Sequence, residues 1–144
     1  MSLPVDLNKV RQKAADIRGA LDDLAPYAVC SAEEFLADGK GAAAAKYYLI
    51  VGTEAAIDIC NHLAARVANR APTSYADCFE ILRENGIISE PLCGRLVRMA
   101  KFRNFLIHKY TSVDDRRVHQ IISENLDDLN AYLFEVGGYL KETI

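Results

Sequence analysis

Residues Leu92–Tyr110, LCGRLVRMAKFRNFLIHKY, carry five basic side chains (Arg95, Arg98, Lys101, Arg103, Lys109) and no Asp or Glu, in a chain whose net charge is −3. The stretch opens with helix-start chemistry: Ser89 can cap, and Pro91 falls where a first-turn proline is tolerated. No proline follows, and its one glycine, Gly94, lies in the first turn, so the pattern predicts a helix. At about 100° per residue, Leu92, Leu96, Met99, Arg103, Leu106 and Tyr110 share one stripe. Four of these are apolar, as a packing face requires. Arg103 is the exception. A guanidinium in such a stripe is costly without a partner, so either a carboxylate faces it or the stripe faces a cleft or another subunit. His108 is displaced from Arg103 by roughly 140° on an ideal helix. One straight helix does not bring them together; a shared site needs a distorted helix end, long side chains reaching round, or a second copy of the helix.

The rest of the chain reads as further helices. Leu7, Val10, Ala14, Ile17, Leu21 and Leu24 recur at spacings of three and four, which predicts an amphipathic helix with Pro26 at or near its end. Ser31-Ala-Glu-Glu34 matches a capping box and starts a short second helix or an extension of the first. Gly39 and Gly41 read as a break. From Ala42 to about Asn69 alanine dominates and no proline intervenes, predicting a long helix of roughly 40 Å. Ser74-Tyr-Ala-Asp77 caps a fourth helix that Gly86 closes. Val118 to Val136 reads as one final helix, stopped by Gly137-Gly138. No alternating strand pattern competes. The expected fold is all-α: a single domain over residues 1–144, an up-and-down antiparallel bundle of five to six helices.

Composition narrows the function. A pI near 5.6 argues against a surface coated in positive charge, so any nucleic-acid contact is local, with 92–110 as the obvious place. Cys30, Cys60, Cys78 and Cys93 form no CxxC pair; zinc is not expected, and the four read as buried free thiols in a reducing cytosol. The N-terminal segment lacks the pattern of a secretory signal, and the longest apolar run, Ala42–Gly52, is broken by Lys46 and too short to span a bilayer. A cytoplasmic protein with no membrane partner is expected.

Two constellations could carry chemistry. Arg103, Asn104, His108 and Tyr110 cluster towards one helix end. The dipole alone explains His108 and Lys109 there, but not Arg103. Glu54, Asp58 and His62 share one face of the long helix. Metal ligation there lacks further ligands, and a polar stripe satisfying neighbours is the better reading, with Asp58 or Glu54 the natural counter-ion for Arg103. His119 is expected to be solvated. No phosphate loop, GxSxG elbow or HExxH motif is present.

Arg103 to Tyr110, RNFLIHKY, resembles the R-x4-H-x-Y signature of HEPN-domain proteins, and more closely the HepT-like toxins of HepT/MntA-type modules. Met99–Phe102, Glu54–His62 and Ser74–Phe79 are similar to that family's flanking segments. The resemblance implies a homodimer whose Arg and His line a cleft between subunits, which would supply the second copy that the angle between Arg103 and His108 calls for. It implies a type VII-like toxin: a metal-independent endoribonuclease needing no cofactor, in which His108 moves a proton and Arg103 stabilises the crowded phosphate. Asn104 would orient the phosphate or the histidine. It further implies a partner, a minimal nucleotidyltransferase antitoxin (MntA-like), that AMPylates Tyr110. On an ideal helix Arg103 and Tyr110 lie two turns apart on one face, within reach of such a group. The alternative is a non-catalytic helical binding partner of a nucleotidyltransferase.

Overall fold

The computed structural model describes residues 4–144, and all regular structure among them is helical. Seven helices follow one another: α1 (Leu7–Val29), α2 (Ala32–Ala37), α3 (Gly39–Val67), α4 (Tyr75–Glu84), α5 (Glu90–His108), α6 (Asp115–Asn125) and α7 (Asp127–Leu140). The local signals act as their chemistry requires. Asp6, Ser31, Asp38, Ser74, Ser89 and Asp114 each accept a backbone N–H of the first turn that follows, and Ser31 with Glu34 completes a reciprocal capping box.

Helix α1 ends at Val29, with Pro26 near its end as expected. Two expectations need correction, and the split of the last segment accounts for seven helices rather than five or six. The glycines at 39 and 41 do not separate elements. Asp38 caps α3 directly, and a Cβ on Gly41 would come within 2.2 Å of the Asp38 carboxylate, so the glycine is what lets that cap close. The last segment is two helices, broken at Leu126, and Gly137-Gly138 lies inside the second. Gly137 is needed for packing: a Cβ there would sit 2.9 Å from the Glu142 carbonyl as the chain folds back.

Cross-links between side chains fix the topology. Asp6 reaches His62, Lys13 reaches Asp58, and Ala20 abuts Gly52, so α1 runs antiparallel to α3. Arg103 meets Glu54 and Tyr110 meets Ala43, so α5 is also antiparallel to α3. Leu129 approaches Gly52 and Tyr132 bonds Ala56, so α7 runs parallel to α3 and against α5. This is the expected up-and-down arrangement, with α3 as its central column. The main core (Ile17, Ile59, Leu63, Phe79, Leu92, Tyr132 and their neighbours) lies among α1, α3, α4, α5 and α7. A smaller one around Phe35 joins α2 and α6 to the first turns of α3, with Leu106 of α5.

The cysteines also depart from expectation. Cys60 and Cys78, both fully buried, pair as a disulfide between α3 and α4, their Cα atoms 6.1 Å apart, within the range a disulfide spans. Sequence spacing could not show this, since helix packing brings them together across 18 positions. Cys30 and Cys93 are free, and only Cys93 is fully buried. Burial, then the neighbouring Glu80 carboxylate, pushes the Cys93 thiol up to about 12.

Candidate functional site at the end of α5

The last two turns of α5 hold Arg103, Asn104 and His108, and the structure separates them. Arg103 lies half-buried against α3, where its Nη2 donates to the Glu54 carboxylate. Its Nη1 donates to Asn104 Oδ1 at 3.0 Å, and its guanidinium stands over the Tyr75 ring of α4 at 5.4 Å. The anomaly of a charge in an apolar stripe is therefore answered within one chain, without a second subunit. The pairing is not a sealed one: the Glu54 side chain is 47% exposed, and Arg103 Nε is buried with no hydrogen-bond partner. The pair is asymmetric, since the Arg103 side chain is only 16% exposed, so an incoming phosphate meets this guanidinium from the open Glu54 side.

Of the two candidate counter-ions, Glu54 is the one used. Asp58 is corrected: it pairs with Lys13 of α1 at 3.1 Å, because its helix position turns it one neighbour away from α5. His62, the third member of that face, accepts the Asp6 backbone N–H at Nε2, 2.9 Å. Burial, then the nearby charges of Lys9 and Arg66, lowers its pKa from 6.5. The stripe thus serves three different neighbours, as the polar-stripe reading expected, and among the described residues no cluster could hold a metal ion.

His108 is the last residue of α5 and is exposed, without a hydrogen-bond partner among the described residues. Phe105 (47% exposed) and Ile107 (42%) flank it. Within one chain, then, nothing ties His108 to Arg103.

Tyr110 also departs from the ideal-helix expectation. The helix stops at His108, Lys109 leaves helical geometry, and Tyr110 turns towards the start of α3. Its hydroxyl donates to the Ala43 carbonyl at 2.7 Å. Ala43 and Glu54 are eleven positions apart on α3, roughly 16 Å along its axis, so Tyr110 and Arg103 do not share one spot on that helix. Beside Tyr110 lies a feature that periodicity missed: Lys46, buried, donates to the Tyr110 carbonyl at 3.3 Å, pairs with Asp115 at 2.7 Å and stands 5.2 Å from the Tyr110 ring centroid. Its signal was present as the one charge interrupting the Ala42–Gly52 run. His119 is likewise not simply solvated; Nε2 lies 2.7 Å from the Cys30 carbonyl and its ring packs on Phe35.

Residues 17–136 match the family described as Ribonuclease HepT-like. An mRNA nuclease HepT of Shewanella oneidensis is 31% identical over 80 residues, 56% of this chain and only 60% of that protein's length. A tRNA nuclease HepT of Aphanizomenon flos-aquae is 25% identical over 120 residues, 83% of this chain and 82% of the other. Among solved structures, a tri-AMPylated Shewanella oneidensis HEPN toxin in complex with MNT antitoxin superposes with a TM-score of 0.82 at 24% identity, covering 90% of this chain and 97% of that one. At that identity the likeness is one of fold.

Proposed function

The chain belongs to the HepT-like ribonuclease family, and on that footing we propose that it is the toxin of a toxin–antitoxin module, a metal-independent endoribonuclease whose site is completed between two copies. The observation that carries this reading is the state of the α5 end: a free, exposed imidazole, an arginine whose one charged partner is a half-exposed carboxylate, and an uncovered apolar pair, Phe105 and Ile107, between and beside them. A second copy laid on Phe105 and Ile107 would bring His108 of one chain towards Arg103 of the other. The reaction needs no group the chain lacks. The ribose 2′-oxygen bonds to phosphorus and loses its proton, the bond to the 5′-oxygen breaks, and that oxygen takes up a proton. His108 would move one of these protons, worth about 10²–10⁴ in rate. Arg103, released from Glu54, would offset charge on the non-bridging oxygens, with Asn104 holding the guanidinium in register.

The MNT antitoxin seen in the solved complex supports a nucleotidyltransferase as partner. In the proposed regulation the Tyr110 phenolic oxygen attacks the α-phosphorus of ATP, its proton is lost, and pyrophosphate leaves. The hydroxyl must first leave the Ala43 carbonyl. The group then sits by the start of α3, placed to obstruct the mouth of the cleft rather than to touch Arg103 of its own chain.

A second reading is favoured by one observation. Arg103 is already satisfied in part by Glu54 and Asn104 of its own chain, as a non-catalytic helical partner of a nucleotidyltransferase would have it. Purified chain incubated with RNA in the presence of a chelator separates the two. The proposal expects cleavage by the wild type and none by His108→Ala, with growth arrest on expression relieved by the same substitution. RNA left intact by both, with the nucleotidyltransferase still bound, establishes the second reading. For the regulation, incubation with the nucleotidyltransferase and ATP should add adenylyl mass that Tyr110→Phe abolishes.

A further inference from the structure

A pocket of about 150 Å³ opens between α3, α5, α6 and the start of α7, immediately beside Arg103. Leu49, Met99, Phe102 and Leu106 line it, with Phe102 offering an aromatic ring. Two polar side chains interrupt these apolar walls, the buried Thr53 and the half-buried Asn125. Arg95, Arg98, Arg103 and Arg117 also border it. The single acid there, Asp128, is neutralised by Arg95 at 2.7 Å. Arg98 and Arg117 are exposed and pair with no carboxylate among the described residues. An acidic chain has thus placed unpaired guanidinium groups around an apolar hole.

We propose that this pocket receives one pyrimidine base of a nucleic-acid strand, with the adjoining phosphates on Arg98, Arg103 and Arg117. The inference rests on the ribonuclease reading for its strand but not for its geometry. Size favours the single ring: an apolar cavity of about 150 Å³ receives benzene, and a pyrimidine is the base nearest that guest in size. The walls supply what a base needs. Phe102 gives a face on which any base can stack. The Asn125 amide offers a donor and an acceptor together, which matches the edge of uracil or cytosine. The basic rim supplies the phosphate contacts that fix a strand without reading it. Since Arg103 belongs both to this rim and to the proposed cleavage site, a base seated here sets which phosphate lies on it, and cleavage beside a pyrimidine follows.

The test uses the full chain and four probes: UMP, CMP, AMP and GMP, titrated while the Met99 methyl resonance and the pocket amides are followed by NMR. UMP or CMP should shift Met99 saturably, AMP and GMP should bind at least about tenfold more weakly, and Asn125→Leu should weaken the pyrimidine by roughly tenfold, the scale of one lost polar contact. Thr53→Val is a second variant should Asn125→Leu disturb folding. Shifts given equally by purines, or by inorganic phosphate alone, overturn the proposal. So does a Met99 shift that follows protein concentration while every nucleotide fails to bind, which would mean a second copy fills the pocket. The two readings fail separately. RNA cut with no base preference and no nucleotide bound removes the pocket and leaves the nuclease, whereas pyrimidine bound and no RNA cut does the reverse.

Discussion

The two halves of α5 share one helix and meet opposite fates. From Leu92 to Ala100 the helix buries Leu92, Cys93, Leu96 and Ala100 against α3, α4 and α7 in the main core. From Lys101 to His108 only Leu106 is buried, in the smaller core, while Phe105 and Ile107 stay exposed. Helix propensity does not distinguish them; what differs is the cover. Helices α4 and α7 clasp the first half, whereas among the described residues no helix covers Phe105, which is 47% exposed. Stability is therefore invested in the first half, and groups that must meet something outside the chain are displayed on the second.

Truncation at equal chemistry is the sharpest way to break this contrast. Leu96→Ala should cost about 2–5 kcal/mol and lower the thermal midpoint by roughly 10 °C. Phe105→Ala, though it removes a larger side chain, should change monomer stability by no more than about 0.5 kcal/mol. Denaturant melts at low protein concentration compare the two, and equal losses would mean that the second half is covered after all.

His62, buried on the long helix, makes stability depend on pH. It binds its proton less readily folded than unfolded, where its value is 6.5. Between 6.5 and its lower folded value the unfolded chain holds more protons, so stability rises with pH across that window. His62's contribution is whole above 6.5 and is lost as the pH falls from there through the lower folded value. His62→Gln should flatten that segment of the stability profile, read from denaturant melts taken across that pH range.

Thiol labelling sharpens the picture further. Cys93, buried on the first half with its thiol pushed up to about 12, should resist alkylation at pH 8 in the native state, while the partly exposed Cys30 labels first; mass spectrometry of timed samples reads the order. A small effect also belongs to Glu54→Gln. Its bond to Arg103 is half-exposed, so the stability change should stay within about 1 kcal/mol, while RNA binding measured by anisotropy should tighten as the guanidinium is freed.

Much of this was legible in the residues. Ser89, Pro91 and the capping box at Ser31–Glu34 act locally, and local chemistry is what a linear pattern records. The register from Ile122 to Leu129 hid the break at Leu126, because both helices present apolar faces in nearly continuous phase. Gly137 and Gly41 read as stops, yet close approach of other atoms demands them inside helices. For the candidate site, Glu54 could be foreseen as the partner of Arg103. The choice between Glu54 and Asp58 could not, since it depends on where Lys13 of α1 sits. The turn of Tyr110 away from Arg103 depends on Ala43 and Lys46, which are distant in sequence.

That lysine has a wider consequence. By gripping the carbonyl of Tyr110, lying beside its ring and holding the first acid of α6, Lys46 works as a keystone shared by three elements. A displacement of the tyrosine cannot remain local: it unsettles a buried ammonium, and through it the seating of α6 against the column. A covalent load at this corner would be felt as a change in how firmly the whole arch stands.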